Sequence, residues 1–167
     1  MSTDNQEQEM GTKPLPEHAW IQQLVGNWTT ETVMTMPDGT TVNSVGSENC
    51  IDFGGLWAIA DGKNQMPGGG EMAYKVGLGY DVSFNAYRAF MVMSMSSHLW
   101  KYDGTLSDDG KTMTLDCEGP DMEVDGKTAH YRDTIEIIDA DHRTLTSTAP
   151  GEDGNWVTYM VSKYTRA

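Results

Sequence analysis

Basic residues, cysteine and long apolar runs are all scarce in this chain of 167 residues. Eleven Lys and Arg stand against 25 Asp and Glu. The resulting formal charge of -14 repels phosphate backbones and anionic headgroups, so neither nucleic acid nor a membrane surface is an expected partner. Cys50 and Cys117 are the only cysteines and sit far apart, which excludes a CxxC pair and a disulfide framework; free thiols are expected. No stretch approaches the roughly 18 apolar residues of a membrane-spanning helix, and residues 1–13 have neither the basic start nor the apolar centre of a secretion leader. A soluble, cytoplasmic protein is therefore expected, with a homo-oligomer left open. Two nucleotide and nucleophile signatures are also missing. Met66-Pro-Gly-Gly-Gly70 is not followed by Gly-Lys-Ser/Thr, and no Gly-x-Ser-x-Gly elbow occurs.

Turn signals, by contrast, are abundant. Asp-Gly occurs at Asp38-Gly39, Asp61-Gly62, Asp103-Gly104, Asp109-Gly110, Asp125-Gly126 and Asp153-Gly154, and both residue types tolerate the positive φ of tight hairpins. The runs between them alternate apolar and polar residues, which predicts strands at 27–36, 41–53, 56–61, 71–80, 86–95, 98–106, 111–117, 128–138, 142–148 and 155–165. Ahead of them, Pro16 opens a segment with Trp20, Ile21 and Leu24 at helical spacing and Gly26 just beyond, a helix of about two turns. Residues 1–13 are polar and aperiodic, a disordered tail before a single domain over 14–167. The expected fold class is all-β, an up-and-down antiparallel β-barrel of roughly ten strands, because closure removes the two edges of an open sheet. A two-sheet sandwich is the alternative.

Alternation orients several strands. Met72, Tyr74, Val76, Leu78 and Tyr80 share one face of 71–80, and Tyr131, Asp133, Ile135 and Ile137 share one face of 130–138. Met113, Leu115 and Cys117 point inward in 112–117. In 90–95 both faces are apolar; the Met91, Met93, Met95 face is taken as interior, either as an adaptable ligand wall or as plain core filling. The strand 41–53 has no clear apolar face, so the direction of Glu48 is open.

The short helix running into Gly26-Asn27-Trp28 resembles the Gly-x-Trp signature of lipocalins and the wider calycin superfamily. That resemblance implies a Trp28 that plugs the closed end of the barrel, with a basic residue of the last strand, Arg166 or Lys163, packed across it. Within the superfamily the chain is similar to the bacterial domain of unknown function family 1579. The matching stretches are Leu24-Val25-Gly26-Asn27-Trp28, Phe53-Gly54-Gly55-Leu56-Trp57, Gly77-Leu78-Gly79-Tyr80-Asp81, Tyr102-Asp103-Gly104 and Met160 to Arg166. The resemblance implies a lipocalin-like fold and no particular reaction.

The expected function is binding of a small, mostly apolar molecule inside the barrel. Trp28 closes the base, and Met72, Tyr74, Leu78, Tyr80, Met91, Met93, Met113, Tyr131 and Ile135 line the cavity. Asp133, with Glu48 and His98 behind it, orients the ligand's polar end, because a polar side chain carried inward needs a partner. One alternative is an enzyme on the same scaffold, an isomerase, cyclase or hydrolase using Asp133 as general acid or base, with Tyr74, Tyr80 or Tyr131 beside it. Its bland counterpart is an Asp bonded to backbone amides or to an Arg at the rim. A further alternative is a heme-binding barrel, which needs His98 or His142 as proximal ligand and has no motif behind it. An interaction module with a solid core is the last. No cofactor is expected, and the spacing of His18, His98, His130 and His142 matches no metal triad.

Overall fold

Pro16 presets the backbone for α1 (Pro16–Ile21), which tightens into a 3-10 turn over Gln22–Leu24. The Nδ1 of His18 accepts from the Leu15 amide at 2.9 Å, satisfying one orphan donor of the first turn. Helix and barrel meet at Gly26, whose φ of +140° is open to glycine and where a side chain would strike Arg166. The computed structural model describes residues 11–167; most of the expected tail, residues 1–10, lies outside the described residues.

Ten strands follow: β1 (Gly26–Thr35), β2 (Thr41–Phe53), β3 (Trp57–Gln65), β4 (Glu71–Asp81), β5 (Ala86–Met93), β6 (Ser96–Leu106), β7 (Thr112–Pro120), β8 (Thr128–Ile137), β9 (His142–Pro150) and β10 (Trp156–Arg166). Each pairs antiparallel with its neighbours in sequence, and β10 closes on β1 with Arg166 opposite Trp28. The result is a closed up-and-down barrel with no free edge among the described strands. A sandwich is excluded by that closure.

Four of the six Asp-Gly pairs lie in turns between strands, and two do not. Asp61-Gly62 lies inside β3 and Asp103-Gly104 inside β6. Packing, rather than turning, explains these two glycines. A Cβ at Gly62 would collide with the ring of Tyr74, and one at Gly104 would crowd Tyr87 and Leu115. The expected end of the third strand at residue 61 therefore moves to Gln65. Met95 is also corrected: it sits in the β5–β6 turn, 64% exposed, because the strand ends at Met93. The Met66–Gly70 segment is a hydrogen-bonded hairpin loop, with the Met66 amide donating to Gly70 at 3.1 Å.

The helix seals one end of the barrel. Trp20, Ile21 and Leu24 are buried there, each burial stabilising by roughly 1.5–3 kcal/mol. Polar contacts fix the plug in place: Trp20 Nε1 donates to the Gly110 carbonyl at 2.8 Å, and the Tyr87 hydroxyl donates to the Glu17 carbonyl at 3.1 Å. His18 is almost fully buried, and its Nε2 meets the Tyr80 carbonyl at 3.1 Å. With Nδ1 accepting, the hydrogen must reside on Nε2. Trp28 lies beneath this plug, 2% exposed, donating from Nε1 to the Leu24 carbonyl at 2.9 Å. Of the two basic residues expected over it, Arg166 takes the place, with its guanidinium 4.2 Å from the ring centre and Nη1 on the Val25 carbonyl; Lys163 is exposed.

Candidate functional site

Above the plug the barrel encloses a cavity of about 240 Å³. A larger groove of about 730 Å³ lies on the outer face, lined by outward-pointing Thr29, Ser47, Lys63 and Lys75; it is broad and shallow. The enclosed cavity is thus the candidate site. Its lining mixes two chemistries. Val76, Met91 and Met93 from β4 and β5, with Ala60, Leu115 and Ile135, form an apolar wall, and Met34, Met72 and Met160 add thioethers from β1, β4 and β10. Interleaved with them, with Tyr74 between Met72 and Val76 on β4 and Asp133 paired with Leu115, are the polar side chains of Glu48, Tyr74, Tyr102, Asp133, Arg143 and Tyr164.

Glu48 and Arg143 form a buried ion pair, 6% and 5% exposed, with Arg143 Nη2 donating to Glu48 Oε1 at 2.5 Å. The other carboxylate oxygen accepts from the Tyr74 hydroxyl at 2.8 Å. Register explains how β4 reaches β2: Gly62 of β3 stands between Tyr74 and Glu48 and has no side chain to block the ring. The Arg143 guanidinium lies 3.7 Å from the centre of the Tyr164 ring and 4.9 Å from that of Trp28, so aromatic faces cover it. Its Nε is buried without a hydrogen-bond partner among the described residues. Burial pushes the Tyr74 phenol well above its usual range, and pushes the Tyr164 phenol and the Cys50 thiol up to about 12.

Asp133 forms a second polar group. Its Oδ1 accepts from the Ser147 hydroxyl at 2.5 Å, and the Tyr102 hydroxyl also donates to the carboxylate. These partners correct the expected ones: Tyr74 is engaged with Glu48, while Tyr80 and Tyr131 lie elsewhere. Nor does an Arg pair with it, since Arg143 serves Glu48. Desolvation pushes its pKa above the carboxylate range, and the two hydrogen bonds pull only partly against that.

Of the residues singled out from sequence, the structure brings Glu48, Met72, Tyr74, Met91, Met93, Asp133 and Ile135 to the cavity. It leaves six away from it. Leu78 and Met113 are buried in the core, and Trp28 is packed against Arg166 at the floor. Tyr80 packs edge-on against Tyr87, ring centres 5.0 Å apart, next to His18. The Tyr131 hydroxyl donates to the Pro120 carbonyl at 2.7 Å, toward the opposite end of the barrel. His98 is held near the start of β6 against Trp100 and the Glu118 carbonyl. His142 sits outside, on Asp139 at 2.8 Å, whereas His98 shares the inward face of β6 with Trp100 and Tyr102 but does not line the cavity. No cluster of three metal-ligating side chains occurs among the described residues.

Sequence reasoning missed Arg143, Tyr164 and Ser147. A signal existed: Arg143 is in phase with Leu145, Ser147 and Ala149 along β9, so an inward arginine follows once that strand is oriented by Leu145.

The family described as "Protein of unknown function (DUF1579)" matches residues 13–166. No curated protein matches the chain. Among solved structures, Rv2717c from M. tuberculosis is similar with a TM-score of 0.65 at 11% identity, over 93% of this chain and 99% of that one. The S-type phycobiliprotein lyase CPES from Guillardia theta is similar with a TM-score of 0.55 at 13% identity, over 92% of this chain and 98% of that one. At these identities the likeness is one of fold.

Proposed function

Because the chain belongs to the DUF1579 family of proteins of unknown function, whose description names no activity, we propose a role from the lumen itself: the barrel binds a small, mostly apolar molecule. The observation that carries this reading is the cavity of about 240 Å³, lined by thioether and aliphatic side chains together with hydrogen-bonding groups. Pockets for drug-sized ligands run to roughly 300–1,000 Å³, so the guest is smaller than those. Methionine side chains are flexible and polarisable, which suits a wall that closes on guests of varied outline. Asp133, Ser147 and Tyr102 supply the polar end that fixes orientation.

Native mass spectrometry of protein purified from its own host tests the reading. The expected spectrum carries one added small mass that is lost on denaturation and absent from Ala60→Leu, a variant that fills the cavity. Repeated recovery of the bare chain mass would count against a resident guest.

A second reading, an enzyme on the same scaffold, is favoured by one observation: burial raises the Asp133 carboxyl above its ordinary value, the direction that suits a general acid or base, with two hydroxyls on it. Asp133→Asn separates the two. Binding of neutral guests survives the change in both, whereas turnover disappears only if Asp133 moves a proton.

A further inference from the structure

We propose that the guest is an amine: a small apolar molecule whose ammonium group pairs with Asp133 inside the barrel. The inference rests on the reading of the lumen as a binding chamber and adds the charge of the ligand. Two carboxyl groups line the cavity, and their partners differ. Glu48 is satisfied on both oxygens, by Arg143 at 2.5 Å and by Tyr74 at 2.8 Å. Asp133 meets only hydroxyls, those of Ser147 and Tyr102, and no cation pairs with it among the described residues.

The three classes of guest then fare differently. An anion finds one lumen cation, Arg143, already held by Glu48 and covered by the rings of Tyr164 and Trp28. It would have to displace Glu48 while facing Asp133. A neutral guest gains hydrogen bonds without charge assistance. A cation finds an uncompensated carboxyl in low dielectric, where a charge-assisted bond is stronger than a neutral one. Aromatic rings stand near the same point: Tyr102 lines the cavity, and Tyr159 lies within electrostatic reach of Asp133. At longer range the formal charge of -14 draws cations toward the molecule. The ammonium takes over the part that a proton plays in the free protein, where burial keeps the carboxyl's affinity for protons high.

The test is calorimetric titration with two matched series: hexylamine, 1-hexanol and hexanoate, and 2-phenylethylamine, 2-phenylethanol and 3-phenylpropionate. The amine of at least one series is expected to bind about tenfold or more tightly than its alcohol, and the carboxylate weakest. Asp133→Asn should abolish the amine preference and leave the alcohol unchanged. A second measurement needs no variant. Amine affinity should climb as pH rises through the ionisation of Asp133 and then level off, the amines staying charged until about pH 10. The titratable groups facing Asp133 are Tyr102 of β6, Cys117 of β7 and Tyr159 of β10, all pushed upward by burial, so they are silent in that window. The other charged pair of the lumen is Glu48 with Arg143. Equal binding of alcohol and amine, or a preference for the carboxylate, overturns the ammonium assignment and leaves the binding chamber standing. Failure of all six probes, with a clean apo mass from the host, overturns both.

Discussion

The Tyr74 hydroxyl donates to Glu48 at 2.8 Å from two strands away, across the bare backbone of Gly62. The glycine is thus a condition of the polar cluster rather than a turn signal. Gly62→Ala places a methyl group against the ring, so either the ring or the strand must shift. The expected cost is about 1–3 kcal/mol, a melting temperature lower by about 2–10 °C. In a Tyr74→Ala background the same change should cost little. Equal losses in both backgrounds would mean that Gly62 matters for its own backbone and not for Tyr74.

The ion pair beneath it behaves as a unit. Arg143→Met leaves the Glu48 carboxylate buried without its cation, and Glu48→Gln leaves the guanidinium without its anion, each expected to cost about 3–5 kcal/mol in urea denaturation. The double variant removes both charges and should recover more than half of either loss. Additive single losses would show that the two side chains act independently.

These two clusters mark where the sequence was readable and where it was not. Strand positions follow from period two and turn chemistry, and nearly all lie within two residues of expectation, because a closed barrel has one buried face on every strand. Glu48 could not be oriented because its strand presents Ser44, Gly46 and Val42 on the same face, small residues over which side chains of other strands extend. Asp61-Gly62 has the composition of a hairpin turn, and only the partner ring reveals its role. The cavity boundary was equally hidden: Leu78 and Asp133 both point inward, yet the depth of the helical plug decides which of them meets empty space.

Arg166 ties the plug to the barrel floor. Its Nη1 donates to the Val25 carbonyl at 2.8 Å and its Nε to the Ala140 carbonyl at 3.0 Å, while its plane lies over Trp28. Arg166→Lys keeps the charge and loses the fork, for an expected cost of about 1–2 kcal/mol. Amide exchange should accelerate mainly across residues 16–25, the segment whose carbonyls lose their donor. Unchanged exchange in that segment would reduce Arg166 to a cover for Trp28.

Asp133 leaves its own trace in the pH dependence of stability. Its carboxyl titrates near 3.8 when unfolded and higher when folded, because burial penalises the charge. Between those two values the folded state holds more protons than the unfolded one, so stability falls as pH rises. The contribution of this group is fully present below about pH 3.8 and is lost once the folded-state value is passed. Exposed turn carboxylates pull the other way: Asp38, Asp109, Asp139 and Asp153 are lowered by hydrogen bonds from their own turns and contribute above their unfolded values. A single stability curve mixes these opposing slopes, but the difference between wild type and Asp133→Asn cancels the turns. That difference should be near zero at low pH, grow in favour of the variant as pH rises, and reach a plateau once the folded-state value of Asp133 is passed. Urea titrations at closely spaced pH values measure it directly. A difference that does not vary with pH would mean that Asp133 titrates alike in the folded and unfolded chain, and the polar end of the cavity would then be as wet as bulk solvent.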